Sequence, residues 1–182
     1  QGFGGQAPVF YNLFIALAAL LVVRAAPDLR QGKVPGGVAL AMLSAGFAIT
    51  VKTTALFEAM FLGLYTVWLL PAPQRLRRAL PLALLGALPA LLIAAGYALS
   101  GYWSIYWQAM TGANLSSDRW EAYSAQIRLR LMLASLAPIL AVAAFGWLDL
   151  KDDRRRFVAL WILAALIGLF AFPYFHRHYA LP

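Results

Sequence analysis

A few polar side chains in this otherwise apolar chain are of the types, and at the positions, that could bind a phosphorylated ligand. Lys52 lies between two apolar runs, and Glu58 follows it inside the second run. Arg177 lies between the chain's two histidines, His176 and His178, in the segment PYFHRHYALP. Fixed cations stabilise negative charge that develops on a phosphate during group transfer. These residues therefore predict a site for an anionic, phosphate-bearing ligand.

Each of these residues also has a structural interpretation. The long side chain of Lys52 can reach the membrane surface and act as an anchor. A structural hydrogen bond is as compatible with Glu58 as a catalytic role, because an acid within a membrane span faces the bundle interior or a polar cavity by default. The two histidines are two positions apart and diverge in a helix, so we assign no metal ligands. Whether the protein uses a divalent cation as a cofactor stays open. The chain has no cysteine, which excludes disulfides and thiolate chemistry.

Six apolar stretches of 16 to 21 residues must position these side chains. The hydrocarbon core of a bilayer is crossed by about 20 apolar residues in a helix, and the backbone there has to satisfy its own hydrogen bonds. The chain is 63% hydrophobic and only 12% charged, against about 25% charged in soluble domains. We therefore predict an all-α, polytopic membrane bundle of about six transmembrane helices, as a single domain over residues 1–182. The predicted spans are Ala7–Val23, Val34–Val51, Thr53–Leu70, Ala79–Leu99, Leu131–Leu150 and Phe157–Phe172.

The basic residues divide unevenly between the two sets of loops. Ten of the 15 lysines and arginines lie in three alternate loops, namely Arg24, Arg30, Lys33, Arg75, Arg77, Arg78, Lys151, Arg154, Arg155 and Arg156. Positive charge concentrates in cytoplasmic loops, so we expect these loops inside and both ends of the chain outside. The net charge of +8 then reflects loop anchors, and we predict no nucleic-acid partner.

The loop from about Ser100 to Arg130 falls on the outer side in this topology. It holds six aromatic residues, which form either an interfacial belt or a platform for a sugar or lipid. We expect a surface helix over Ser116–Arg130, with Ser117 as its N-cap. Asn114 and Arg119 in this loop share the outer side with Gln6. A polar cavity could be lined by Gln6, Glu58, Asn114 and His176.

The second and third spans meet at Lys52 with no room for an ordinary loop. The sequence predicts either a tight hairpin at Lys52 or two short helices that meet there. Gly36, Gly37 and Gly46 in the second span would permit close helix contact.

Four segments together resemble a known family. GQAPVFYNLFIALAALLVV, GFAITVKTTALFEAMFLGLY, YWQAMTGANLSSDR and PYFHRHYALP are similar, in order, spacing and sidedness, to bacterial integral-membrane glycosyltransferases of the family 39 type. That family is the protein-mannosyltransferase-like branch of the GT-C class. The Lys-x-Thr-x-x-x-Glu pattern and the His-Tyr-x-x-Pro ending carry most of the resemblance.

The resemblance implies an inverting enzyme that transfers a sugar from a polyprenyl-phosphate donor to an acceptor at the outer face of the bacterial cytoplasmic membrane. Its catalytic base would be an acid in a first outer loop, which would lie upstream of Gln1, so we expect the chain to be an internal segment of a longer protein. The donor phosphate or sugar would be bound by Lys52, Arg119, Arg177, His178 and Tyr179.

Two other functions stay open at this point. An O-antigen ligase or polymerase would also place arginine and histidine outside. A transporter or channel segment would show paired intramembrane charges and internal repeats. The expected partners are the lipid-linked donor and membrane lipids.

Overall fold

The computed structural model describes residues 7–109 and 150–171, together with residues 127, 130, 134, 137, 141 and 143–148. Every regular element in this part of the chain is a helix, which confirms the all-α prediction. The helices are α1 (Ala7–Arg30), α2 (Gly36–Val51), α3 (Leu56–Leu69), α4 (Ala72–Leu99), α5 (Trp103–Trp107) and α6 (Asp152–Ala171), and a single 3₁₀ turn (Thr53–Ala55) precedes α3.

Two of the described helices are long and apolar enough to cross a membrane, by length and composition. They are Phe10–Arg30 within α1 and the whole of α4. The helices Gly36–Val51 and Thr53–Leu69 are apolar but shorter, and α6 begins with five charged residues. Half of the predicted span Leu131–Leu150 lies outside the described residues, and its described residues are helical up to Leu148. These helices indicate membrane association.

The outward surface of α4 supports the same conclusion. Leu80, Leu84, Leu91 and Leu92 are each more than half exposed, between 54% and 67%. A helix at the surface of a soluble protein directs its apolar stripe to the core and its polar residues to water. On α4 the exposed surface is itself apolar, as expected for a helix that faces lipid.

The helices extend beyond the apolar runs that predicted them. α1 continues through Pro27 to Arg30, α4 begins at Ala72 and not at Ala79, and α6 begins at Asp152 and not at Phe157. The length of a hydrophobic run follows the thickness of the apolar layer, because charged residues end the run. Arginine is nevertheless a good helix former, so the helix continues into water. Most of the basic residues that we placed in loops therefore lie on the ends of helices.

Three basic segments meet at one end of the bundle. A guanidinium nitrogen of Arg30, at the end of α1, lies 2.8 Å from a carboxylate oxygen of Asp153 in α6. Gly32 adopts a φ of 80° in the turn after α1, a conformation that favours glycine, and it closely approaches the side-chain amide of Gln74 in α4. We call this surface, formed by residues 24–33, 75–78 and 151–156, the basic end.

Two arginines of the basic end stabilise helix termini there. Arg75 donates from Nε to the carbonyl of Leu70 and from a terminal nitrogen to that of Trp68, each at 2.9 Å. Arg155 donates in the same way to the carbonyls of Trp147 and Leu148. The last carbonyls of a helix have no intrahelical donor, and these arginines supply donors to them. The carbonyl of Trp147 also accepts from the backbone N–H of Leu150 at 3.3 Å.

Helices α2 and α4 are in close contact at Gly46. A Cβ atom added at Gly46 would overlap the carbonyl oxygen of Gly86 and lie 2.9 Å from Cδ of Pro89. This confirms the predicted role of Gly46. Gly36 has no atom within 4 Å of such a Cβ, and Gly37 meets only a side-chain carbon of Leu21 at 3.8 Å. The prediction was therefore wrong for these two glycines, which lie in the first turn of α2, where the helices have not yet converged.

Aromatic rings pack α3 against α6. The ring centroid of Phe157 lies 5.5 Å from that of Phe61 and 5.0 Å from that of Tyr65. Farther along, Phe57 contacts Gly168 so closely that an added Cβ would lie 3.1 Å from the Phe57 ring. The two helices are antiparallel, and this packing brings the last turn of α6 beside the start of α3.

Candidate functional site

Lys52 connects α2 and α3 in a tight hairpin. Its backbone is extended (φ −150°, ψ 119°), its N–H bonds the carbonyl of Ala48, and the 3₁₀ turn follows immediately. This is the first of the two arrangements that the sequence allowed. α2 starts beside the basic end and rises about 24 Å over its 16 residues. Lys52 therefore lies at the opposite end of the bundle, which we call the lysine end.

The ammonium of Lys52 is half-buried beside an aromatic ring and an acid. Its Nζ lies 5.5 Å from the ring centroid of Tyr11 in α1, within the range of a cation–π interaction. Burial lowers the pKa of Lys52 to about 8, and the charge of Glu58 acts in the opposite direction by favouring the ammonium. Lys52 and Glu58 are thus electrostatically coupled across the first turn of α3.

Glu58 binds a residue from the far end of the sequence. Its carboxylate oxygen accepts a hydrogen bond of 2.8 Å from the indole nitrogen of Trp161, half-way along α6. The 3₁₀ turn places Thr54 outside the regular α-helix, and the polar partner shown for Glu58 is Trp161 rather than the neighbouring Thr54. The hydrogen bond ties α3 to α6 and fixes the carboxylate close to Lys52.

An apolar groove of about 460 Å³ runs between α3 and α6. At the end toward Lys52 it begins with Phe57, the neighbour of Glu58 in the chain. Its walls are aliphatic and aromatic side chains, namely Phe57, Met60, Phe61, Leu64, Tyr65, Trp68, Leu160, Leu163, Ala164 and Ile167. Lys52 and Glu58 are not among these lining residues, and Glu58 adjoins the groove only through its chain neighbour Phe57. The groove itself has the apolar surface character that suits a lipid chain.

Part of the predicted aromatic cluster also lies at the lysine end. α5 packs on the last turn of α4, with 5.1 Å between the ring centroids of Tyr97 and Tyr106. Trp103 and Trp107 stack at 5.9 Å and are each about half exposed. Both a membrane belt and a ligand platform are consistent with these exposed rings.

Of the predicted site residues, the structure describes Lys52 and Glu58 and brings them together. Seven other predicted site residues lie outside the described residues: Gln6, Asn114, Arg119, His176, Arg177, His178 and Tyr179. The predicted surface helix is described only at Ile127 and Arg130, both helical. No group of three or more His, Asp or Glu suited to a metal occurs among the residues that the structure describes.

Tyr11 contacts Lys52, and Trp161 contacts Glu58. Neither residue was predicted from the sequence. Trp161 follows four residues after the start of the predicted sixth span, a position that indicates an interfacial tryptophan. The structure instead buries part of its ring and uses its N–H, as tryptophan does when it packs in an interior. An indole N–H within an apolar helix needs a hydrogen-bond acceptor. That requirement was the sequence signal from which a contact of Trp161 could have been inferred.

No known family model matches the chain, and neither the curated proteins nor the solved structures contain a significant match. The site is therefore interpreted from its own residues.

Replacing Trp161 with phenylalanine should destabilise the protein by about 1–3 kcal/mol. The ring is kept but the indole N–H is lost, so Glu58 loses a donor at a partly buried position. The measurement is the free energy of unfolding of the purified protein in mixed micelles. Trp68→Phe is the matched control, because Trp68 is 54% exposed. Equal losses for the two variants would show that the Glu58 hydrogen bond contributes nothing to stability.

Proposed function

We propose that the chain is the membrane-embedded part of a glycosyltransferase. It takes a sugar from a polyprenyl-phosphate donor and transfers it to an acceptor at the outer face of the bacterial cytoplasmic membrane. The six-span arrangement of the GT-C class and the family 39 resemblance belong to this proposal.

The cluster of Lys52 and Glu58 beside the apolar groove is the observation that supports the proposal most. A polyprenyl-phosphate sugar has a long apolar chain, one phosphodiester and a polar sugar. The α3–α6 groove suits the chain, and the ammonium of Lys52 suits the phosphate as a compact point charge. The negative charge of Glu58 favours the protonated, cationic form of Lys52.

The chemistry of transfer explains why a fixed cation belongs at this position. When the sugar leaves, the carrier retains a phosphate with one more negative charge. A cation already aimed at that oxygen stabilises the transition state without reorganising. In this proposal Arg119, Arg177, His178 and Tyr179 complete the donor site, and an acid of an outer loop is the base that activates the acceptor.

A transporter of an anionic amphiphile is the second candidate. The coupling between Lys52 and Glu58 favours it, because transporters pair charges at membrane depth around the substrate path. The two candidates differ in chemistry: a transferase breaks the bond between sugar and phosphate, whereas a transporter moves its substrate intact.

Sugar transfer by the intact protein tests the proposal. The purified protein would be placed in vesicles with a radiolabelled polyprenyl-phosphate sugar and a membrane extract that supplies acceptors. We expect donor cleavage, with free polyprenyl phosphate accumulating in step with labelled acceptor. Movement of uncleaved donor between leaflets, with no release of polyprenyl phosphate, would favour the transporter instead.

Membrane topology gives an independent check of the proposed orientation. The chain has no cysteine, so single cysteines at Ala72 and Ser100, both exposed, can be labelled cleanly. The segregation of basic residues supports a cytoplasmic location for the basic end. An impermeant thiol reagent should label Ser100→Cys in intact spheroplasts and Ala72→Cys only after lysis. Labelling of both in intact spheroplasts would contradict the topology.

A further inference from the structure

The basic end carries arginines that the fold itself does not use. Arg30 pairs with Asp153, and Arg75 and Arg155 donate to main-chain carbonyls. Arg77 and Arg78, on the first two turns of α4, are exposed and have no hydrogen-bond or ion-pair partner among the described residues.

Charge at this end is strongly unbalanced. The three segments and their immediate flanks contain ten basic residues but only four acids, namely Asp28, Asp149, Asp152 and Asp153. One of these acids, Asp153, is already paired with Arg30. The contact between Gly32 and Gln74 brings the basic segments of α1 and α4 together. The positive charges of both segments therefore act on one ligand bound at this end.

Apolar side chains share this surface with the arginines. Leu76 is 88% exposed and Leu80 is 67% exposed, on the same turns of α4 as Arg77 and Arg78. A free phosphate or a nucleic acid would use the arginines and leave the leucines in water. A bilayer surface satisfies both, because arginine binds headgroup phosphates while leucine enters the acyl region.

The length of α4 places the surface around Arg77 and Arg78 at the depth of the lipid headgroups. Its 28 residues span about 42 Å, whereas the hydrocarbon core is about 30 Å thick. With the apolar run from Ala79 in the core, Leu80 lies in the acyl region, and the preceding turns with Leu76, Arg77 and Arg78 lie at headgroup level.

We propose that the basic end binds anionic glycerophospholipids through Arg77 and Arg78 of α4. The site is separate from the lysine end, and the inference does not depend on sugar transfer. Its consequence is that the protein prefers and is stabilised by a bilayer leaflet rich in anionic lipid.

The test compares lipid binding by the full chain and by the double variant Arg77→Gln/Arg78→Gln in detergent micelles. Native mass spectrometry with phosphatidylglycerol and with phosphatidylcholine measures the affinity of each lipid. We expect a preference for phosphatidylglycerol that falls about 5-fold for each arginine removed, since each is worth about that much near an anionic surface. The preference should also weaken as salt rises.

Two controls make the result decisive. Arg128→Gln/Arg130→Gln removes the same charge from the predicted outer loop and should keep the phosphatidylglycerol preference. Inorganic phosphate at equal concentration should not displace the lipid. Equal losses in both double variants, or displacement by inorganic phosphate, would overturn the proposal. If Arg77→Gln/Arg78→Gln does not fold, the wild-type salt series decides, and a preference that is independent of salt would be incompatible with the proposal.

Discussion

Replacing Lys52 with alanine should weaken binding of a polyprenyl-phosphate donor by about 10- to 100-fold. A hydrogen bond to a charged group contributes about 1.5–3 kcal/mol, and each 1.4 kcal/mol is a factor of ten in affinity. Because Lys52 lies in the hairpin between α2 and α3 and not inside a helix, the variant should still insert and fold. The measurement is donor affinity of the intact protein by equilibrium titration, with thermal unfolding as the check on folding.

Two control variants separate charge from position. Lys52→Arg keeps the cation and should lose much less affinity than Lys52→Ala. Lys33→Ala removes an exposed lysine from the basic end and should leave donor affinity unchanged. If Lys52→Ala binds the donor as well as wild type, Lys52 is an interfacial anchor and the proposed donor site is wrong.

The lowered pKa of Lys52 adds a pH dependence to the same measurement. With a pKa of about 8, the ammonium loses its proton as pH rises through that value, while the donor phosphodiester keeps its charge. Donor affinity of the wild type should therefore fall above pH 8. Lys52→Arg should show a flatter profile, because arginine stays protonated throughout this range.

Replacing Gly46 with alanine should destabilise the bundle by about 1–3 kcal/mol. A methyl group there would overlap the Gly86 carbonyl and crowd Pro89, and a backbone oxygen cannot rotate away as a side chain can. Overpacking of this kind has a cost in that range, even though alanine is the better helix former by up to about 1 kcal/mol. Unfolding free energy in mixed micelles measures the effect.

Gly63→Ala is the matched control for this prediction. Gly63 lies inside α3, and a Cβ added there meets no atom within 4 Å. This variant should be neutral or slightly stabilising, because only the helix propensity changes. If the two variants had equal stabilities, α2 and α4 would not be in the close contact that the structure gives them.

Hydrophobic runs predicted where helices occur more reliably than where they end. The runs before and after Lys52 correspond to α2 and α3. The short connection between them predicted either a hairpin or two short helices that meet, and the structure has the hairpin. The same runs missed the first seven residues of α4, Ala72–Arg78, because arginines end an apolar run without ending a helix.

The candidate site was predictable only where a single residue was unusual in its surroundings. Lys52 and Glu58 stand out because a charge within an apolar stretch is costly. Trp161 is 103 positions from Glu58, and its role depends on α6 packing antiparallel to α3. Helix pairing of this kind depends on the shapes of many side chains, such as Phe157 against Tyr65, and a hydropathy pattern does not contain that information.

The position of the donor headgroup is the most direct test of the account. A polyprenyl phosphate with a photoreactive group next to the phosphate would be irradiated with the intact protein in vesicles. Excess phosphatidylglycerol would saturate the basic end, and peptide mass spectrometry would locate the crosslink. We expect crosslinks at the lysine end, in the hairpin around Lys52 or at Tyr11, that unlabelled polyprenyl phosphate suppresses. Suppressible crosslinks confined to the first turns of α4, around Arg77 and Arg78, would contradict it.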